Sequence, residues 1–325
     1  MNEQIIICDC DHSDVDTEKS VFEKADLSFR WHHCTSQSEV IEQCKGAKVF
    51  LNQYVHMNEK IFAEIPSLKC IIRYGVGVDN VNLQHADKYG VQVCNVPDYG
   101  TNEVADQALA LMMSLVRKTY LVNKRIRDGI WDYREAIPVY RNAEATVGII
   151  GLGRIGSAFA KRAQALGSRI IAYDIDANNK ERSFPDFVQM VSLKEVLQES
   201  DIVSIHCSLN EQSRNMICIN ELKMMKSSAY LINVARGGII NEQDLDIALT
   251  QGIIAGAGLD VVKDERLQAD NPLLKHDNFL VSPHMAWYSM QSAIELNRKA
   301  AQEAVRFIKG EPLHYPINNL KQKEQ

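Results

Sequence analysis

Val147-Gly-Ile-Ile-Gly151-Leu-Gly153-Arg-Ile-Gly156 is the stretch of sequence that decides the fold. Its apolar first half predicts a buried strand, and its second half fits the pattern G-x-G-x-x-G ahead of a helix that we expect to begin at Ser157. Gly151 would allow a tight turn, Gly153 would let the backbone approach a pyrophosphate, and Gly156 would let helix and strand pack closely. Amides at the helix N-terminus would then face the phosphates, so the stretch predicts a dinucleotide-binding unit.

An acidic residue after the next predicted strand supports this interpretation. Asp174 lies 18 residues after Gly156, near the spacing of about 20 at which an acid binds the ribose in such units. A carboxylate there repels a 2′-phosphate, Asp176 adds a second negative charge, and no Arg follows it immediately, so we expect NAD rather than NADP. The alternative for Asp174 is a strand-end acid without a ligand. Arg154 and Ile155 would adjoin the phosphates, although Arg154 also fits a solvent-exposed loop.

Strand-like and helix-like segments alternate along most of the chain, which is typical of α/β proteins with parallel sheets. In the first part, the pattern predicts strands at 5–8, 49–51, 69–73 and 91–96 and helices at 17–25, 36–44 and 58–65. In the second part it predicts strands at 146–150, 169–173, 202–206, 230–233, 254–259 and 279–282, the strand count of a dinucleotide fold. A last helix is expected at 290–309.

These elements predict two doubly wound domains. We expect a Rossmann NAD-binding domain at residues 102–285, inserted into a flavodoxin-like substrate domain formed by residues 1–101 and 286–325. Between them, residues 102–117 carry a broader apolar stripe than a surface helix needs. We therefore expect this helix to lie against its symmetry mate in a homodimer. The alternative is a helix wedged between the two domains of one chain.

Composition excludes several classes of protein. The net charge is −6 and no long run has one sign, which argues against a nucleic-acid surface. The start of the chain is polar and no apolar run approaches the roughly 20 residues of a membrane helix, so we expect a cytoplasmic protein. The eight cysteines form no C-x-x-C pair, and we expect reduced thiols rather than disulfides or a metal site.

Three further segments lie at the ends of predicted strands, where ligands bind in such sheets. They are Asn233-Val-Ala-Arg236-Gly-Gly238, Gly258-Leu-Asp260-Val-Val-Lys-Asp-Glu265 and Ser282-Pro-His284-Met-Ala-Trp287. Each alone is compatible with an ordinary surface charge or loop residue. Together they supply an arginine that can bind an anion, a histidine that can act as an acid, and a carboxylate that can stabilise the protonated histidine. These are the parts needed to reduce a keto acid.

With these segments in place, the chain resembles the D-2-hydroxyacid dehydrogenase family over nearly its whole length. The resemblance rests on the glycine pattern, Asn233–Gly238 and Pro283-His284, and on the segments 73–80 (RYGVGVDN) and 95–106 (NVPDYGTNEVAD). The segment Ala286-Trp-Tyr-Ser289 also resembles the branch that contains the carboxy-terminal binding proteins, which are NAD-dependent corepressors.

The resemblance implies roles for particular residues. His284 would donate or accept the proton, Glu265 would be its partner and stabilise the imidazolium, and Arg236 would anchor the substrate carboxylate. The backbone amides of Val76 and Gly77 would share that carboxylate. The residues implied near NAD are Val104, Cys207, Ser208, Val234, Ala235, Arg236 and Asp260, the last at the nicotinamide amide.

Some assignments stay open at this point. The family usually has Glu-Pro where this chain has Glu265-Arg266, so a slip of one residue would put Asp264 in the role of Glu265. Tyr99 and Trp287 are the best candidates for the substrate pocket, although each equally fits simple packing.

The resemblance predicts an NAD-dependent reductase that converts a 2-keto acid to a D-2-hydroxy acid. The alternative from another class is an NAD-sensing regulator or scaffold like the corepressor relatives. The retention of Arg, Glu and His favours the enzyme. Within the enzyme class, phosphoglycerate dehydrogenase is left open, and formate oxidation is disfavoured because Tyr99 and Trp287 suggest a pocket for a side chain.

Overall fold

The computed structural model describes residues 4–177, 183–318 and 320. The chain divides into two compact units, one formed by Met1–Gly100 and Ser289–Gln325 and the other by Thr101–Tyr288. The assignment of substrate binding to the first unit stays a prediction.

The elements of the described residues are as follows. The strands are β1 (Ile5–Ile7), β2 (Phe29–Trp31), β3 (Val49–Asn52), β4 (Cys70–Arg73), β5 (Gln92–Cys94), β6 (Thr146–Ile150), β7 (Arg169–Tyr173), β8 (Val188–Met190), β9 (Ile202–Ile205), β10 (Tyr230–Asn233), β11 (Gly256–Leu259) and β12 (Phe279–Val281). The α-helices are α1 (Asp16–Lys24), α2 (Gln37–Gln43), α3 (Glu59–Glu64), α4 (Leu83–Tyr89), α5 (Thr101–Val116), α6 (Thr119–Arg127), α7 (Arg154–Ala165), α8 (Leu193–Glu199), α9 (Ile219–Leu222), α10 (Glu242–Thr250) and α11 (Met290–Lys309). Short 3-10 helices cover Tyr133–Ala136, Asn142–Glu144 and Pro272–Lys275.

The first unit is built on a parallel sheet in the order β2-β1-β3-β4-β5, the flavodoxin-like arrangement. The three isoleucines of β1 are fully buried, as expected of a parallel strand covered on both faces. Helix α11 packs on β3 and β4 beside α1. It begins where the Ser289 hydroxyl accepts the N–H of Ser292, and it ends at Gly310 in the left-handed conformation.

The second unit has a seven-stranded parallel sheet in the order β12-β11-β10-β9-β6-β7-β8. This is the Rossmann strand order with a seventh strand added beyond the sixth. The predicted count of six was wrong, because β8 had been missed and β12 is the additional edge strand. Strand β8 has only three residues and is held by pairing with β7, which no local pattern reveals.

Helix α5 lies within the second unit, and its apolar stripe is already covered there. It packs on α7, β10 and β11. The width of the stripe therefore gives no reason to place a symmetry mate on it, which corrects the argument made from the sequence. The homodimer itself stays a prediction. The buried residues of the stripe are Val104, Ala105, Ala108, Leu111, Met112 and Leu115.

Two of the compositional expectations can be compared with the structure. Within the described residues, no helix is both long enough and apolar enough to cross a bilayer. All eight cysteines lie in that part of the chain and each is a free thiol.

Candidate active site

The glycine loop after β6 has a conformation that only glycine accommodates. Gly151 has a φ of 92°, and a Cβ there would lie 2.6 Å from the backbone nitrogen of Cys207. A Cβ on Gly156 would lie 2.1 Å from the carbonyl oxygen of Gly151. At Gly153, by contrast, no atom of the described residues comes within 4 Å of the Cβ position. The loop is thus tightly packed against the protein at Gly151 and Gly156, whereas the described residues leave space beside Gly153.

Helix α7 begins directly after this open glycine. Gly153 is its N-cap residue, so Arg154 and Ile155 form the first turn. The predicted start at Ser157 was three residues too late, because the glycine pattern itself contains the first helical turn. The first amides of α7 therefore belong to the glycine loop, as an anion-binding helix N-terminus requires.

Asp174 is tied to the same loop. It follows β7, is 9% exposed, and accepts the N–H of Leu152 at 2.7 Å and the N–H of Asp176 at 2.9 Å. The carboxylate therefore lies beside the glycine turn, at the shared carboxyl edge of β6 and β7. Together with the open cradle at Gly153, this arrangement fits a dinucleotide. Residues 178–182, which follow shortly after, lie outside the described part of the chain.

The loop after β9 carries two further predicted contacts and one residue that sequence reasoning missed. Burial raises the pKa of the Cys207 thiol to about 11, so this side chain is a neutral wall beside Gly151. The Ser208 carbonyl accepts the Ser213 hydroxyl at 2.7 Å. His206 is the missed residue: its Nε2 lies 2.8 Å from Ser204 Oγ, and burial lowers its pKa to about 3. The signal in the sequence that could have drawn attention to His206 is its position directly after β9.

Arg236 is placed by a tight turn after β10. The Asn233 side chain donates to the Arg236 carbonyl at 2.9 Å and accepts the N–H of Ala235 at 3.0 Å. Gly237 then passes so close to the loop after β11 that a Cβ on it would lie 2.0 Å from the Val262 carbonyl oxygen. The glycine after Arg236 therefore allows the loops after β10 and β11 to approach each other closely.

His284 and Glu265 are in direct contact. The His284 Nδ1 lies 2.6 Å from Glu265 Oε2, so the carboxylate that reaches the imidazole belongs to Glu265 rather than to Asp264. Since Nδ1 faces the carboxylate, Nε2 is the nitrogen that remains for proton exchange. Both residues have positive φ, 52° for His284 and 56° for Glu265, a conformation that is costly for side chains other than glycine.

Asp260 is almost fully buried at the end of β11, with 1% of its surface exposed. Its carboxylate accepts backbone N–H groups of Met285 and Ala286, at 3.1 and 2.9 Å. The structure thus connects Asp260 to the segment that carries His284. The contact with a nicotinamide amide, which the family resemblance implies, stays a prediction.

Val76 and Gly77 lie in the first unit, in the loop after β4. The Asn95 side chain donates to the Val76 carbonyl at 2.6 Å, and the N–H of Val96 donates to the Gly75 carbonyl at 3.0 Å. Gly75 has a φ of 128°, and a Cβ there would lie 1.8 Å from the Arg73 guanidinium. The backbone of this loop is therefore fixed at the carboxyl edge of its sheet.

The two aromatic candidates differ in their surroundings. Tyr99 is half-buried in the first unit, with its hydroxyl 3.6 Å from the Cβ position of Gly75. Trp287 packs against the core cluster that contains Val234, and its ring meets that of Tyr288 edge-on at 5.6 Å. Core packing therefore accounts for at least part of Trp287, and both substrate contacts stay predictions.

Comparison with known proteins defines the class. The sequence model of the D-isomer specific 2-hydroxyacid dehydrogenase NAD-binding domain matches residues 109–286. The chain therefore belongs to the D-2-hydroxyacid dehydrogenase family and is an oxidoreductase with a nicotinamide-dinucleotide-binding domain. The predicted family, fold class and enzyme class are confirmed, whereas the resemblance of Ala286–Ser289 to the corepressor branch stays a prediction.

Particular relatives cover most of the chain. A glyoxylate reductase of Korarchaeum cryptofilum (strain OPF8) is 35% identical over 281 residues, which are 85% of this chain and 84% of that protein. A glycerate dehydrogenase of Methylorubrum extorquens is also 35% identical over 281 residues, 84% of this chain and 87% of that protein. The solved D-lactate dehydrogenase of Aquifex aeolicus, complexed with NAD and lactic acid, has a TM-score of 0.86 at 27% identity and covers 94% of this chain and 96% of its own.

Proposed function

We propose that this protein uses NADH to reduce a small 2-keto acid to the D-2-hydroxy acid, and catalyses the reverse reaction with NAD. The contact of 2.6 Å between His284 Nδ1 and Glu265 Oε2 carries the proposal. It lies at the carboxyl edge of the sheet that also positions the glycine loop, where ligands bind in such folds.

His284 would act as the acid in the reductive direction. A bound dinucleotide would supply the hydride, and His284 Nε2 would donate the proton to the carbonyl oxygen as negative charge develops there. Glu265 fixes the orientation of the ring through its contact with Nδ1. Acid catalysis of this kind contributes roughly 10²–10⁴-fold in rate.

Arg236 would hold the substrate carboxylate, since its planar guanidinium can bind both carboxylate oxygens. The turn closed by Asn233 and the close approach at Gly237 fix the backbone from which it extends. The amides of Val76 and Gly77 are further candidates for this carboxylate by family resemblance. Holding the acid group in this way limits which face of the keto carbon meets the cofactor.

Small, polar keto acids are the proposed substrates. The two relatives at 35% identity are named for glyoxylate and glycerate. We therefore place glyoxylate and hydroxypyruvate, the keto acid of glycerate, ahead of pyruvate, 2-ketogluconate and the branched or aromatic 2-keto acids.

The proposed cofactor is NAD rather than NADP. Asp174 places a carboxylate next to the glycine loop, and Asp176 adds a second negative charge two residues later. A 2′-phosphate on the adenosine ribose would be repelled by both.

The proposed assembly is a homodimer, and an exposed segment between α6 and β6 supports it. Five large apolar side chains lie within eleven residues there, which is more than a monomer usually exposes in one place. Light scattering at micromolar concentration should give twice the chain mass of 36.7 kDa. A monomer at that concentration would contradict the proposal. The five side chains are Ile130, Trp131, Tyr133, Ile137 and Tyr140, exposed by 42%, 86%, 79%, 61% and 65%.

A screen of NADH oxidation across these keto acids tests the proposed function. We expect turnover with glyoxylate or hydroxypyruvate and weaker turnover with the larger acids. The alternative, an NAD-sensing scaffold, predicts NADH binding with no turnover of any keto acid. Binding measured by the fluorescence of NADH separates that outcome from a protein that is simply misfolded.

A further inference from the structure

Ser282 lies between two polar side chains at the end of β12. Its hydroxyl oxygen is 2.5 Å from Asp260 Oδ1 and 3.1 Å from the side-chain nitrogen of Gln107 on α5. A carboxylate only accepts, and the amide nitrogen of Gln107 only donates. The direction of both hydrogen bonds is therefore fixed: Gln107 donates to Ser282, and Ser282 donates its single hydroxyl proton to Asp260.

Asp260 passes this constraint to the backbone around His284. Its Oδ1 also accepts the N–H of Met285 and its Oδ2 accepts the N–H of Ala286, while its own carbonyl accepts the N–H of His284 at 2.8 Å. The proposed acid and the two residues after it are thus held by one buried residue.

The constraint is needed because His284 has an unfavourable backbone conformation. At a φ of 52° its backbone would relax toward negative φ if nothing held it. Such relaxation would rotate the Cα–Cβ bond and carry the imidazole away from Glu265. The hydrogen bonds to Asp260 oppose this relaxation. The hydrogen bond that Ser282 donates to Oδ1 helps to orient the Asp260 carboxylate.

We propose that Ser282 is a positioning residue for His284, that it acts through Asp260, and that Gln107 anchors it from α5. The catalytic part of this inference rests on the proposed function. Within the described part of the chain, Ser282 reaches the groups assigned to catalysis only through Asp260 and the backbone. Its effect should therefore appear mainly in the rate, with a smaller effect on cofactor binding through Asp260.

The test compares Ser282→Ala with Ser282→Thr, which keeps the hydroxyl. We expect Ser282→Ala to lower kcat roughly 10- to 100-fold, the cost of a displaced catalytic group. The dissociation constant of NADH should change by less than about threefold, and Ser282→Thr should recover most of kcat. Gln107→Leu should produce a smaller loss in the same direction.

Ser200→Ala is a control for the removal of a buried serine hydroxyl away from His284. Ser200 is fully buried in the same unit, but it precedes β9 and so lies at the amino ends of the strands. His284 lies at their carboxyl ends. We expect its kcat to match that of the wild type. An equal loss of kcat in Ser200→Ala, or a loss of NADH affinity in Ser282→Ala as large as the loss of kcat, would overturn the proposal. Unchanged kcat in Ser282→Ala would do the same.

Amide hydrogen exchange makes the test independent of turnover. The amides of Met285 and Ala286 should exchange at least about tenfold faster in Ser282→Ala than in the wild type and in Ser282→Thr. Equal protection in all three proteins would refute the positioning role. If the wild type reduced no keto acid but the exchange rates differed as expected, the proposed function would fail and the positioning role would stand.

Discussion

Replacing Gly237 with alanine should separate the two loops that form the candidate site. A Cβ on Gly237 would lie 2.0 Å from the Val262 carbonyl oxygen, whereas real Cβ contacts are essentially never shorter than 3.0 Å, so the loops must part by about 1 Å. The loop after β10 carries Arg236, and the loop after β11 leads to Glu265. Displacement of a positioning group by about 1 Å costs roughly 10²-fold in rate, so kcat/KM for the keto acid should fall by about that factor.

Steady-state kinetics and thermal unfolding together decide the outcome. The strain should also destabilise the fold by about 1–3 kcal/mol, which leaves a folded enzyme whose kinetics can be measured. Gly153→Ala is the matched control, since its Cβ meets no described atom within 4 Å; it should weaken NADH binding and leave the Arg236 loop in place. If Gly237→Ala kept kcat/KM within about threefold of the wild type, the claim that close approach positions Arg236 would be wrong.

Three other predictions follow from single residues. His284→Ala should reduce kcat by at least about 10²-fold while NADH still binds in a fluorescence titration; near-normal turnover would exclude His284 as the acid. Asp174→Ala should narrow the preference for NADH over NADPH in initial-rate measurements, and a wild type that prefers NADPH would refute the role of Asp174. Burial lowers the pKa of His206 to about 3 from the ordinary 6.5, so the unfolded chain binds the extra proton between these values. The free energy of unfolding should therefore fall as pH drops below 6.5, by up to about 1.4 kcal/mol per pH unit from this residue, and His206→Asn should reduce that slope in urea titrations. If the free energy of unfolding of His206→Asn varied with pH as steeply as that of the wild type, the lowered pKa of His206 would be contradicted.

Elements with local signals could be predicted from the sequence. Helix α11 was predicted with its observed bounds, because Gly310, with Pro312 two residues later, marks its end. Strands β2 and β8 were missed. Each has three residues, lies at an edge of its sheet, and depends on a neighbouring strand for its backbone hydrogen bonds. Sequence patterns report local periodicity, and pairing of this kind is not local.

The candidate site shows the same difference between local features, which the sequence reveals, and non-local contacts, which it does not. Its residue types and their strand-end positions could be predicted, and the family resemblance supplied the pairing of Glu265 with His284. The contacts that hold these residues in place could not, since the hydrogen bond from Ser282 to Asp260 and the approach of Gly237 to Val262 join segments that lie on different strands. The apolar stripe of α5 misled for a related reason, because only the folded unit shows how much of it α7 already covers.

The positive φ angles at Glu265 and His284 have a consequence for engineering. Glycine would relieve about 1–3 kcal/mol of backbone strain at each position, so a library selected only for thermal tolerance should enrich glycine at the two residues proposed for proton transfer. Heat-resistant but inactive variants would then accumulate. Directed evolution of this enzyme should therefore select for turnover in every round and seek added stability at positions distant from these two loops.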